Sequence, residues 1–222
     1  MSKALCRAVL LTLSLLLILT MLCACADRGS VKNREYNESE VRTAAEELIR
    51  ESEILNEIYW GRGIPYTEDA NLSSGAYYPA DEIYLNSIGV KTLEDLKQKT
   101  RGVFSTDMCE WVFESTLSSV GTGTGVLLSR YTQKWGGVNL DTPEYILVNK
   151  NHKVMLEDEV EYNYGSIKVL GAAGELVTVS IDCTVTNSEG LESKQTIKVD
   201  LIEEKDGWRI ATPTYTVYSG EN

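Results

Sequence analysis

The sequence predicts an α+β domain, with helices first and an antiparallel sheet after them. Three observations carry this. Val41, Ala45, Leu48, Leu55 and Tyr59 recur at three-to-four spacing, widened by Ala44, Ile49 and Ile58, which is the period of a helix. Val177, Val179, Ile181, Cys183 and Val185 alternate strictly with Thr178, Ser180, Asp182, Thr184 and Thr186, which is the period of a half-buried strand. The turns after that strand, Asn187-Ser188-Glu189-Gly190 and Lys205-Asp206-Gly207, are short and rich in Asn, Asp and Gly, so the strands they join pair antiparallel.

The elements follow in chain order. Lys3 and Arg7 precede an uncharged, Leu-rich run over residues 8–26, and Asp27 comes next, the build of an export signal. Within it, Leu22-Cys23-Ala24-Cys25 resembles the lipobox of bacterial lipoproteins. That resemblance implies a signal peptide over 1–24, lipidation of Cys25, and an anchor on the outer face of the cytoplasmic membrane. Two acyl chains are what stable attachment needs. Ordinary cleavage after a small residue and a retained 19-residue span are the competing readings. Residues 25–36 then read as the lipidated cysteine and a polar tether, and 37–222 as a single domain.

Asn37 caps the first helix, with Glu40 placed to complete a capping box, and Gly61, Gly63 and Pro65 end it. Residues 62–90 show no sustained period, which marks a functional or partly unstructured loop. Thr92 with Asp95 opens one short helix, and Ser105 or Thr106 a second. The Gly121-Thr122-Gly123-Thr124-Gly125 run has neither phosphate-loop spacing, so it reads as a helix-to-strand connection. Strands are expected over 126–132, 145–148, 160–170, 176–186 and 195–201, with a last one from Trp208. A turn is expected around Gly136-Gly137.

Composition bounds the chemistry. The formal charge of the whole chain is -12, and the leader carries two cations and no acid, so the exported part is more acidic still. Such acidity speaks against nucleic acid and anionic lipid as partners, since both need a basic patch. Five cysteines reduce to Cys109 and Cys183 beyond the leader and Cys25, and whether these two pair is left open. There is no CxxC, and no metal or cofactor is expected. The one histidine, His152, lies in Asn149-Lys150-Asn151-His152-Lys153, which reads as an exposed hairpin tip. No Ser-His-Asp or Cys-His set assembles around it. Glu157-Asp158-Glu159-Val160-Glu161 lacks a calcium-loop pattern and reads as a charged strand edge. Asp182 falls on the polar face of its strand.

Twelve tyrosines and four tryptophans against two phenylalanines favour a recognition surface, because these rings combine an apolar body with a polar tip. The candidates are Tyr59, Trp60, Arg62, Tyr77 and Tyr78. No catalytic residue is expected.

Helices first, then a meander ending in Lys205-Asp206-Gly207-Trp208-Arg209-Ile210, resembles the NTF2-like (cystatin-like) α+β domains of exported bacterial proteins. The resemblance implies a long N-terminal helix and two short helices packed on a curved C-terminal antiparallel sheet. A fainter similarity, in overall organisation, is to secreted inhibitors of cell-wall DL-endopeptidases. Together these readings point to a lipid-anchored, non-enzymatic binding protein. The alternatives are an inhibitor or regulator of a cell-wall hydrolase, and an enzyme acting on a small molecule in the sheet concavity. The expected partners are the membrane, through the lipid, and an envelope protein or wall enzyme.

Overall fold

A computed structural model describes residues 36–68, 76–118, 120–122, 125–127, 129–134, 145–152 and 154–215. The expected leader, Cys25, all of the tether but Tyr36, and the Gly136-Gly137 turn lie outside them. Among the described residues no helix is long and apolar enough to cross a membrane.

Helix α1 runs Glu38–Tyr59, and Asn37 caps it by accepting from the N–H groups of Ser39 and Glu40. Its buried face is the expected stripe, joined by two polar residues the stripe did not include, Ser52 and Asn56. The described parts of the 62–90 stretch, 62–68 and 76–90, are more regular than its lack of period suggested. They contribute strand β1 (Tyr77–Pro79) and helix α2 (Glu82–Ser87), which Asp81 caps through the Tyr84 N–H. Elements of three and six residues are too short to print a period, so neither was expected.

Helices α3 (Leu93–Val103) and α4 (Thr106–Leu117) stand where expected. Thr92 and Asp95 form the reciprocal capping box, with bonds of 3.1 and 2.9 Å. The Gly-rich run is not a plain connection: on either side of Gly123 and Thr124, which lie outside the described residues, β2 (Val120–Thr122) pairs antiparallel with β3 (Gly125–Leu127). The strand expected over 126–132 is broken between β3 and β4 (Tyr131–Lys134). Arg130, just before β4, is buried and committed to hydrogen bonds across the fold.

The described strands form three sheets. β5 (Tyr145–Asn149) is central to a small one, in the order β1-β5-β4, and β2 pairs only with β3. The large sheet is a four-stranded antiparallel meander, β6 (Glu159–Ala173), β7 (Leu176–Thr186), β8 (Glu192–Glu204) and β9 (Gly207–Ile210), in that spatial order. The alternation along β7 is realised except at Ser180, which is buried on the polar face: Val177, Val179, Ile181, Cys183 and Val185 are buried, and Asp182 is exposed and accepts from the Thr196 hydroxyl. Cys109 and Cys183 are free and buried.

Polar side chains tie α1 to the large sheet and to the chain beyond it. Tyr164 on β6 donates its hydroxyl to Glu53 and carries the Arg50 guanidinium over its ring at 3.5 Å. Beyond β9, Thr214 meets Ser52 at 2.8 Å and Asn56 at 2.9 Å.

Candidate functional site

The last turn of α1 carries no basic residue to balance its exposed carbonyls, which are left without helical partners. Arg130 supplies that charge from across the chain. It is 3% exposed and donates to the carbonyls of Tyr59 (2.8 Å) and Gly61 (2.5 Å), and to the Tyr131 hydroxyl (3.2 Å). Tyr131 donates in turn to the Ile58 carbonyl (2.6 Å) and accepts from the Ile64 N–H (3.0 Å). Gly63 is required here. Its φ is +86°, and a Cβ would stand 2.5 Å from Arg130 Nη2 and 2.8 Å from the Tyr131 oxygen.

A second group of contacts at the same helix end opens onto solvent. The Trp60 carbonyl accepts from the N–H groups of Met155 (2.8 Å) and Leu156 (2.9 Å). Those two bonds draw the acidic run after Leu156 alongside α1. Between them lies a cleft of about 330 Å³, lined by Glu53, Asn56 and Glu57 from the helix and by Glu157, Asp158 and Glu159 from the run. Leu156, Val160, Tyr162 and Tyr215 complete the wall, and Arg62 is the one cation among its described lining residues. A neighbouring hollow of about 430 Å³ shares Leu156, Glu157, Asp158, Val160 and Tyr215, and extends to Met155 and Glu189. Both volumes are in the ordinary range for ligand sites.

Two features set this cleft apart from a solvated acidic surface. Asn56 is 5% exposed, and its Oδ1 has no hydrogen-bond partner. Its Nδ2 donates to the Thr214 hydroxyl at 2.9 Å; that hydroxyl also meets Ser52 at 2.8 Å, and Ser52 lies 2.8 Å from the Ile49 carbonyl. The Oδ1 atom itself is sealed from solvent. Leaving such a group unpaired costs about 1–3 kcal/mol.

The second feature is Arg62. Its guanidinium lies 3.5 Å from Glu57 and 3.7 Å from Glu159, thus bridging helix and strand, yet the side chain is 79% exposed. Exposed pairs of this length contribute little. Its backbone N–H also donates to Glu57 at 3.1 Å. Gly61 lets the Glu57 carboxylate fold back over the helix end, since a Cβ there would lie 2.1 Å from Glu57 Oε2. Burial raises the Glu53 carboxyl above the usual range, partly offset by Arg50. Among the described residues no three carboxylates, thiols or imidazoles converge as a metal ion requires.

The residues singled out in the sequence do not share one surface. Tyr59 and Trp60 are core residues, at 0% and 2% exposure, and this corrects the expectation that they face a partner. Their rings are used internally: Tyr59 bonds Thr100 at 2.7 Å, and Trp60 packs between Trp111 and Tyr215 at 5.4 and 4.8 Å. Arg62 belongs to the cleft. Tyr77 and Tyr78 lie on β1 in the small sheet, where Tyr77 donates to the Ser129 carbonyl. Tyr78 packs on Tyr66 at 5.5 Å with Lys150 Nζ 4.9 Å above its ring.

His152 is also corrected. It is half-buried rather than an exposed tip, and burial together with the nearby Arg130 charge lowers its pKa to about 4. The acidic run does open an edge strand, as expected, because β6 is the outer strand of its sheet. Its second role, as a cleft wall facing α1, was missed. Its sequence trace is the pair Ser52 and Asn56, polar residues on the otherwise apolar buried face of α1.

Comparison of the chain with protein-family models, with curated proteins and with solved structures gives no match.

Proposed function

We propose that this chain is a lipid-anchored extracytoplasmic binding protein and that the acidic cleft at the end of α1 is its binding site. One observation carries the reading: Asn56, buried and with an unpartnered carboxamide oxygen, is among the lining residues of a cleft walled mainly by carboxylates and tyrosines, with Leu156, Val160 and Arg62. The side chains around it are suited to holding a ligand. Tyr162 donates to the Thr214 carbonyl and Tyr164 to Glu53, so the walls are braced by their own hydrogen bonds. Export, lipidation at Cys25 and the NTF2-like arrangement are parts of the same proposal. The lipobox-like Leu22-Cys23-Ala24-Cys25 supports the first two. The order of α1 before a four-stranded antiparallel meander supports the third. A basic wall enzyme is a partner whose charge suits the acidic chain, which keeps the regulator reading as the second choice.

Two measurements test this. Mass spectrometry of membrane-extracted protein should find an N-terminal peptide beginning at a diacylglyceryl-modified Cys25; an unmodified N-terminus removes the anchor. A photo-crosslinking residue placed at Glu159 in cells should capture a discrete partner. The same residue at Leu170, exposed on β6 away from the cleft lining, should not. Equal or absent capture at both positions removes the cleft as the binding site.

A further inference from the structure

We infer that a docking surface for a polypeptide lies beside the cleft, over Trp60, and that it takes a short extended segment whose apolar side chains are flanked by lysine or arginine. The inference rests on the binding role proposed above and names the partner, but different side chains carry it. Trp111, at 45% exposure, and Met155, at 58%, are large apolar side chains that stay in water. Both are anchored on one buried residue. The Trp111 ring stacks on Trp60 at 5.4 Å, and the Met155 N–H donates to the Trp60 carbonyl. Exposed apolar side chains scattered singly are ordinary, whereas those gathered at one place mark an interaction surface.

Geometry sets the kind of guest. Met155 lines the hollow of about 430 Å³ together with Leu156, Val160 and Tyr215, which gives an apolar seat for a side chain. The Tyr215 ring lies 4.8 Å from Trp60. The Trp111 and Tyr215 rings are therefore no more than about 10 Å apart, a distance that about three extended residues span. One short segment of guest covers the hollow and the Trp111 ring together.

Charge then selects among guests. Glu157, Asp158 and Glu189 line the hollow, and there is no cation among its described lining residues. On α4, Asp107 and Glu114 stand four residues before and three after Trp111, so these exposed acids flank the ring on the helix surface. Among the described residues none of these five acids has an ion-pair partner. Long basic side chains on either side of an apolar pair answer them. A second copy of this acidic chain, or an anionic lipid surface, would set like charge against like.

The test uses the full-length protein in phosphatidylcholine nanodiscs and titration calorimetry. The probe is acetyl-Lys-Lys-Phe-Ser-Gly-Leu-Lys-Lys-amide. One comparator replaces every Lys by Glu, and the other replaces Phe and Leu by Ser. The probe should bind, and each comparator should bind about tenfold more weakly or worse. Trp111→Ser should weaken binding about fivefold or more, and Met155→Ser about threefold. Ile83→Ser, which removes an exposed apolar side chain from α2, should leave the affinity unchanged. If Trp111→Ser fails to fold, Met155→Ser and Glu189→Gln carry the test, the latter with a loss of about twofold.

Equal binding of either comparator, or an unchanged affinity in the folded variants of the surface, overturns the inference. Three results give the surface another occupant and overturn the partner. These are a dimer in sedimentation that Met155→Ser dissolves, peptide binding only after removal of residues 216–222, and quenching of Trp111 by brominated lipid in the nanodisc. Capture from Glu159 without peptide binding leaves the cleft standing and removes only this surface. Peptide binding that needs Trp111 and Met155, without capture from Glu159, removes the cleft and keeps the surface.

Discussion

Two arginines reach the C-terminal end of α1, and the contrast between them separates the architecture of this protein from its candidate site. Arg130 is buried and spends its N–H groups on the Tyr59 and Gly61 carbonyls and on Tyr131. Arg62, three residues past the helix, is mostly in water beside two carboxylates. Both carry the same charge and both meet the negative end of the same helix dipole. Burial divides them. A guanidinium removed from water must be fully hydrogen-bonded, and once it is, its removal leaves buried carbonyls unpaired. A guanidinium left in water is replaceable at little cost. The Gly61-Arg62-Gly63 turn serves both regions: Gly63 makes room for Arg130 and Tyr131, and Gly61 makes room for Glu57.

The sharpest way to break the comparison is to remove each charge. Arg130→Met should cost about 3 kcal/mol or more of unfolding free energy, and Arg62→Met no more than about 0.5 kcal/mol, both read from urea denaturation midpoints. Equal losses would mean that Arg62 is structural and the cleft is no site. Next in size is Gly63→Ala. The left-handed φ and the crowding by Arg130 and Tyr131 should together cost about 2 kcal/mol in the same assay. A near-neutral result would show that the Arg130 region has slack.

A smaller effect reads the Arg130 field through His152. Its folded pKa, about 4, lies below the ordinary 6.5, so the unfolded chain binds the proton more readily. The stability this contributes is fully present above about pH 6.5 and is lost as pH falls towards about 4. For a half-buried ring the loss should be on the order of 1 kcal/mol, and His152→Gln should flatten that part of the profile. Because the chain has one histidine, a single ring resonance reports the titration, and its midpoint should rise in Arg130→Met. A midpoint that stays put would place the arginine charge elsewhere.

The smallest effect concerns the thiols. Burial pushes Cys109 up to about 11 and raises Cys183 as well, so both should resist a thiol reagent at pH 8 until the protein unfolds. Rapid native labelling of either would show that its part of the core opens.

How much was legible in advance depends on how local each cause is. The Thr92–Asp95 capping box, the Asn37 cap and the β7 alternation lie within a few residues of sequence, and the chain adopts them as written. Short elements without a period, β1 and α2, escaped notice. The aromatic cluster misled for a different reason. Tyr59 and Trp60 belong to the last turn of an amphipathic helix, and their apolar area outweighed the polar tips that suggested a surface.

By itself, the sequence determined the α+β class, the extent of α1, the antiparallel meander, and the acidity that limits possible partners. Each of these follows from period, capping, turn chemistry or net charge, which are properties of neighbouring residues or of the whole count. Tertiary structure alone decided that Arg130 caps α1 from 71 residues away in sequence, and that Thr214 bonds the Asn56 amide across 158. It also decided that the Trp60 carbonyl gathers the acidic run against the helix. Such contacts depend on which distant groups are left unsatisfied when the core closes, and no local pattern records that.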